Sequence, residues 1–519
     1  MPRANNRFLV TAIAVGLMIA TLPGAAVAKT SSGVLTSTPS MLTLDVAGSV
    51  RPIISSGDTI GGFTFEGIPD GVGLTKGKGG RVDVYVTHEQ SSVPFPPLSG
   101  TIGAPLTDFE DASVSKLTLD RKTGGVVAAS VALPATAGLL RFCSAFMADK
   151  EVGFKTPTLF VNEETNDIVD VPPGAPYGPD PAIAPQRQGG YVAALDTKTG
   201  EYTTIPGLGR YNHENTIVVP GRWKKTVALL STDDTFDGPS SQLYLYLARK
   251  DTDVIKDKGH LYALRITAKN GARVDRTDPQ NGANDYLDLG VGDRMRGEFI
   301  RVPDAIADGT TGVAPQQALE DWSNANNVFQ FIRLEDLATD PDHPRTVYIA
   351  DTGRSRVVPD PVTGRAKRGP SGTVGQADNG SVFKLVFNKR NPRLVDSLTV
   401  LAQGDDATKA RYVPFVSPDN VGVSDESLMI QEDKTDAKIW RYDFDTHGWT
   451  VVAHVTGDKE SSGIVDASKW FGRGAWFVTV QDHGTFQKSE AAPNPVNPSA
   501  GLTIKREAGQ LILVKIPGS

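Results

Sequence analysis

The sequence predicts an all-β fold, a six-bladed β-propeller with long loop insertions. Three observations carry that expectation. A short strand of alternating apolar residues, closed by a turn carrying Gly or Asp, recurs at least six times; long amphipathic helical patterns are nearly absent; and Gly (53) and Pro (35) are plentiful in a chain of 519 residues. A strand of this kind buries one face only, so the units need a common way to stack, and blades packed face to face around a central channel supply it. A pair of β-sandwiches is the second architecture that would satisfy the same pattern.

In chain order the units are Val114–Gly125, Tyr191–Gly200, Gly259–Ile266, Gly380–Phe387, Lys438–Asp445 and Gly509–Ile516. Six blades would take roughly 80 residues each, against about 40 to 50 in compact repeat families, so long loops must absorb the excess. The Pro-rich stretch from Val171 to Gln186 and the polar stretch from Asp275 to Trp322 read as such insertions, with a short helix over Gln316 to Asn324.

At the N-terminus, Arg3 and Arg7 precede an apolar run from Phe8 to Leu22, followed by Pro23, Gly24 and Ala26-Val27-Ala28. This pattern predicts a signal peptide over residues 1–28, a single propeller domain over residues 29–519, and a periplasmic or extracellular protein. No later stretch approaches the roughly 20 apolar residues of a membrane-spanning helix. The net charge of −7 gives no reason to expect nucleic acid or an anionic membrane as a partner. A monomer is expected.

Cys143 is the one cysteine of the chain. It cannot form an intramolecular disulfide, so it is either a buried small apolar residue or a thiolate held for its chemistry. Acidic motifs recur around it: Gly67-Ile-Pro-Asp-Gly, Thr87-His-Glu, Asn162-Glu-Glu, Tyr211-Asn-His-Glu-Asn, Ser231-Thr-Asp-Asp, Phe331-Ile-Arg-Leu-Glu-Asp-Leu, Ser417-Pro-Asp-Asn, Ile430-Gln-Glu-Asp and Val480-Gln-Asp-His-Gly. Several stand where a β-run stops, and in a propeller equivalent strand ends converge on one end of the channel. Carboxylates brought together there would take up protons unless cations lay between them. Calcium, with about six to eight oxygen ligands in loose geometry, suits such a set, and the thiolate and imidazoles suit a transition metal such as iron. Each acidic pair taken alone also reads as a solvated strand end. Arg333 and Glu335 alternate on a strand and share a face, which fits a phosphate-binding fork beside a metal-binding carboxylate, or a plain ion pair.

In this order along one chain, the motifs from Gly67 to Gly484 resemble those of the PhoX-like alkaline phosphatases, a family of bacterial secreted propellers. The resemblance implies a six-bladed propeller whose channel holds iron and calcium and hydrolyses small phosphate monoesters. Carried over position by position, it implies Cys143 as a thiolate ligand to iron. It likewise implies Glu164 (or its neighbour Glu163), Glu214, Asp233 and Glu335 as carboxylate ligands, and Arg333 and Asn420 as phosphate-contacting or metal-site residues. The stretch from Ala145 to Val161 departs from the Trp-Gly-rich segment of that family. Two other classes compete: a non-catalytic calcium-binding propeller that holds a partner protein or glycan, and a sugar-lactone hydrolase with one calcium in its channel. The lactonase has no use for the thiol. No Gly-x-Ser-x-Gly is present, which argues against a serine hydrolase of the nucleophile-elbow type.

Overall fold

The computed structural model describes residues 33–89, 112–165, 168–170, 186–235, 240–278, 281–489 and 502–519. The expected signal peptide lies outside the described residues, as does the Pro-rich insertion up to residue 185. Gln186 opens a short strand, Gln186–Gln188, that pairs with Ile168–Asp170. The strands are arranged as a β-propeller, and the longest helix among the described residues is Pro315–Ala325, where the sequence predicts a helix. Pro315 sits in its first turn, where a missing N–H costs nothing.

The strands follow one another as antiparallel meanders. The first runs Pro69–Lys76, Val82–His88, Ser113–Leu119, Val126–Leu133, and the second Phe142–Ala148, Thr158–Glu163, Val192–Asp196, Tyr202–Thr204. An eleven-stranded sheet contains two more, one beginning at His213–Val218 and one at Leu334–Thr339, bridged by Met295–Arg301. Another begins at Pro418–Val423, and the last at Lys459–Asp466. The chain closes on itself without a covalent bond. Leu42–Leu44 pairs with Trp449–Val455, and Ser49–Ser55 pairs with Leu502–Lys515.

The first strand of each meander has a hydrogen-bonded neighbour on one side only. On the other side it packs against the first strands of the meanders before and after it, and Lys459–Asp466 returns to Pro69–Lys76. The six thus form a closed ring, and we call them ring strands.

Six apolar clusters hold the meanders together, each between two successive ones. Leu243, Leu245, Phe383 and Leu385 belong to the seam inside the eleven-stranded sheet. Phe160 and Tyr244 lie in the seam before it, and Val84 and Phe477 in the seam that closes the circle. Each fully buried Leu or Phe contributes about 1.5–3 kcal/mol. No meander can bury both faces alone, which is the physical reason the strand unit had to be repeated.

Beside the first ring strand the backbones approach so closely that only glycine fits at Gly71 and Gly463. A Cβ on Gly71 would lie 2.2 Å from the Ala145 nitrogen, and one on Gly463 would lie 2.3 Å from the Asp70 carbonyl oxygen.

Candidate metal centre

All six ring strands carry the same irregularity. Pro69 faces His88 while Val72 faces Val86, so three steps on the ring strand match two on its neighbour. The same slip occurs from Phe142 to Ala145, His213 to Thr216, Leu334 to Leu337, Pro418 to Val421 and Ser461 to Ile464. Such a β-bulge frees two residues from the ladder and re-aims their side chains. The pairs are Asp70-Gly71, Cys143-Ser144, Glu214-Asn215, Glu335-Asp336, Asp419-Asn420 and Ser462-Gly463.

The first members of five pairs build the centre, and that of the sixth, Ser462, donates to Asp70 at 2.7 Å. Ligand atoms of Asp70, Glu89 and Cys143 lie within 4.8 Å of one another, as do those of Cys143, Glu164 and Glu214, of Glu164, Asp234 and Glu335, and of Glu214, Glu335 and Asp419. The sets share members and form one continuous group of carboxylates around a single thiol. Glu89, Glu164 and Asp234 directly follow the second strand of their meanders, each one residue past the partner of a ring strand's start: His88, Glu163 and Asp233.

That one-residue step decides the role of each acidic pair. Glu163 turns away from the centre and accepts from the Leu140 and Tyr191 nitrogens at 2.8 and 2.9 Å, leaving Glu164 as the member in the centre. Asp233, expected as a ligand, also turns away, because it pairs with His213 in the ladder. Its Oδ1 accepts from Thr235 and its Oδ2 from Gln316 of the Pro315–Ala325 helix. Asp234 takes the place in the centre instead.

Of the sequence-predicted residues, the structure therefore brings together Cys143, Glu164, Glu214 and Glu335, with Arg333 beside them. Arg333 donates from Nε to Asp234 Oδ1 at 2.8 Å and lies 3.4 Å from Glu335. Asn420 occupies the layer beneath. Its Nδ2 donates to Ser144 Oγ at 3.1 Å, and its Oδ1 accepts from Ser462 Oγ at 3.3 Å. Ser144 in turn donates to Glu214 at 2.9 Å, and Ser462 to Asp70 at 2.7 Å. Asp70, Glu89, Asp234 and Asp419 were missing from the sequence-based ligand set, although each sits in a motif the sequence displays. The signal that finds them is position: immediately after a ring strand's start, or one past its partner.

Electrostatics call for cations. Asp70, Cys143, Glu164, Glu214, Asp234 and Glu335 are all buried. Burial, with repulsion from Glu89, pushes the Asp70 carboxyl up to about 7. Burial first, and neighbouring carboxylates second, also hold Glu164, Glu214, Glu335 and Asp419 well above the usual range. Burial and the nearby Asp70 raise the Cys143 thiol. Burial opposes the charge on Arg333, yet Asp234 and Glu335 hold its guanidinium firmly protonated. The buried Asp70 Oδ1 accepts no hydrogen bond among the described residues. A donor set this rich in oxygen, with one sulfur, fits hard divalent cations and, at the Cys143 end, a softer transition metal.

Below the layer of Ser144, Asn215 and Asp336 lies a cavity of about 200 Å³ on the axis, walled by Val72, Phe146, Ile217, Leu337, Val421 and Ile464, one from each ring strand.

The family model for alkaline phosphatase PhoX matches residues 157–486. Among solved structures, Pseudomonas fluorescens PhoX in complex with vanadate, a transition state analogue, aligns with a TM-score of 0.62 at 14% identity, over 93% of this chain and 97% of that one. Penicillium chrysogenum α-L-arabinanase complexed with arabinobiose aligns with a TM-score of 0.38 at 9% identity, over 90% of this chain and 98% of that one. The β-propeller domain of Myceliophteria thermophila Cps50 aligns with a TM-score of 0.37 at 8% identity, over 90% of this chain and all 100% of that one. No curated protein matches the sequence. The 14% likeness speaks for the fold, whereas the family match spans well over half of the sequence and takes in Glu164, Glu214, Asp234, Arg333, Glu335 and Asp419. On that match the chain belongs to the PhoX alkaline phosphatase family.

Proposed function

We propose that this protein is an exported, metal-dependent phosphatase that hydrolyses small phosphate monoesters with iron and calcium held at the bulges of a six-bladed propeller. The convergence of buried carboxylates, one thiol and Arg333 at one end of the channel carries the reading. Family membership supports the reaction class. The six-blade count treats the two meanders of the eleven-stranded sheet as separate blades, which the six apolar seams support. Residues 29–519 would then be one propeller, and the protein a monomer working in the periplasm or outside the cell.

Glu214, Glu335 and Asp419 offer an all-oxygen site suited to calcium. Cys143, with Asp70, Glu89, Glu164 and Glu214 around it, offers the sulfur-containing site suited to iron. When bound, the cations supply Lewis acidity toward the phosphoryl oxygens. Arg333, whose Nε and one terminal nitrogen are held by Asp234, adds a fixed positive charge that a phosphate would meet beside the cations. The belt of Ser144, Asn420 and Ser462 fixes Glu214 and Asp70 by donating to each, so neither carboxylate must reorganise as charge develops.

The test is elemental analysis of the purified mature protein beside hydrolysis of p-nitrophenyl phosphate with and without calcium. Iron together with calcium, and turnover that depends on calcium, is the expected result. Calcium alone without turnover would replace this reading with a binding propeller.

A further inference from the structure

Arg333 does not stand alone in the ring. Two residues ahead of the bulge, Arg333 precedes Glu335 as Arg141 precedes Cys143. The hydrogen-bond frame around the two is the same. Asp351 accepts from the Ile332 nitrogen at 3.0 Å, and the Thr352 nitrogen donates to the Arg333 carbonyl at 3.0 Å. In the second meander Glu163 accepts from the Leu140 nitrogen at 2.8 Å, and the Glu164 nitrogen donates to the Arg141 carbonyl at 3.0 Å. The two arginines therefore stand at matching positions of the second and fourth meanders, although only Arg141 has a positive φ, 35°. Both bear on one carboxylate, since Arg141 opposes the rise in the Glu164 pKa that burial and Asp234 cause, and Glu164 in turn strengthens the charge on Arg333. Arg141 is half-buried.

We infer that Arg141 is a second phosphate-binding residue, which grips the phosphoryl group of the substrate together with Arg333 beside Glu164. A phosphate ester carries more oxygens than one guanidinium can satisfy, and two guanidinium groups beside Glu164 would fix its orientation as well as its charge. This inference rests on the phosphatase reading above.

The experiment uses the full mature protein and the variants R141Q and R141K. It measures the kinetics of p-nitrophenyl phosphate hydrolysis, inhibition by inorganic phosphate, calorimetric binding of inorganic phosphate, metal content and thermal unfolding. R141Q should raise KM and the inhibition constant of inorganic phosphate by about tenfold to a hundredfold, the range for losing charge-assisted hydrogen bonds. Iron, calcium and the unfolding temperature should match the wild type, and R141K should recover part of the loss. Unchanged inhibition by inorganic phosphate in R141Q would overturn the inference, as would a loss of bound metal that accounts for the whole loss of activity. Should the wild type show no turnover, the phosphatase reading fails separately. Calorimetric phosphate binding that disappears in R141Q would then still support the anion site, and equal binding in both proteins would sink it.

Discussion

Arg333 and Asp234 face each other as a two-point pair, with Nε and one terminal nitrogen of the guanidinium each donating to one carboxylate oxygen. The aspartate is fully buried. In a centre crowded with carboxylates this pair offsets one negative charge and fixes the guanidinium plane. R333A should therefore weaken phosphate inhibition and lower kcat/KM by about 10²–10³-fold, as when one preorganised donor to developing charge is removed. R333K keeps the charge but not the fork and should recover only part. Steady-state kinetics with inorganic phosphate as inhibitor check both variants, and unaltered inhibition would remove Arg333 from the binding role.

Cys143 Sγ lies 3.3 Å from Asp70 Oδ2, and the thiol is buried beside carboxylates that oppose its ionisation. A thiol placed only for packing would not need such neighbours. C143S keeps the shape and removes the soft ligand. Its expected outcome is loss of iron with calcium retained, read by mass spectrometry of the purified protein, together with loss of phosphatase turnover. Wild-type iron in C143S would assign Cys143 to packing.

The choice between Asp233 and Asp234 separates what the sequence displays from what it hides. D234N should lower activity and cation retention, because its carboxylate belongs to the centre. D233N should leave the centre's ligand set intact and destabilise the fold by about 1–2 kcal/mol, through weaker hydrogen bonds to Thr235 and Gln316. Denaturant unfolding and metal content, measured on both variants, distinguish the two. The reverse pattern would restore Asp233 as the ligand.

That contrast explains how much was legible. The repeated strand units and the region of the centre are visible in composition and motif, because alternation and turn residues are local properties. Which of two adjacent acids turns inward is set by ladder register, and register is set by a bulge that no local pattern announces. Glu164 and Asp234 occupy the same place in successive meanders, and only the pairing of their neighbours Glu163 and Asp233 with Phe142 and His213 reveals it. The merging of two meanders through Met295–Arg301 was hidden for a similar reason: the bridging strand pairs with residues far away on both sides.

Gly463 tests the close approach of the ring strands. A methyl group there would sit 2.3 Å from the Asp70 carbonyl oxygen and 3.1 Å from Gly71 Cα, both backbone atoms that cannot swing aside. G463A should cost about 1–3 kcal/mol of stability by overpacking and should displace the strand that carries Asp70. Thermal unfolding and metal content should fall together. Stability at the wild-type level would mean that the ring strands have room to separate.

The last prediction concerns acid. His88 is buried between Gly67 O at 3.1 Å and Ser115 Oγ at 2.7 Å, and His213 between Gly209 O at 3.1 Å and Ser231 Oγ at 3.0 Å. Burial lowers their pKa values from 6.5 to about 4 and about 3. A depressed histidine pKa means that the unfolded chain binds the proton more readily. The stability each neutral imidazole contributes is therefore present above about 6.5 and drains away as pH falls toward the folded value, on the order of 3 kcal/mol apiece. The carboxylates of the cation-free centre act in the opposite sense. Their raised values favour the fold at low pH, and that contribution is lost as pH rises, for Asp70 through about 7. The double variant H88Q/H213Q separates the two effects. In chelator, its unfolding temperature should begin below that of the wild type at pH 7, and the gap should narrow as pH falls from about 6.5 to about 4.5, because only the wild type has imidazoles to charge. A gap that stays constant across that interval would mean that His88 and His213 are already protonated in the fold.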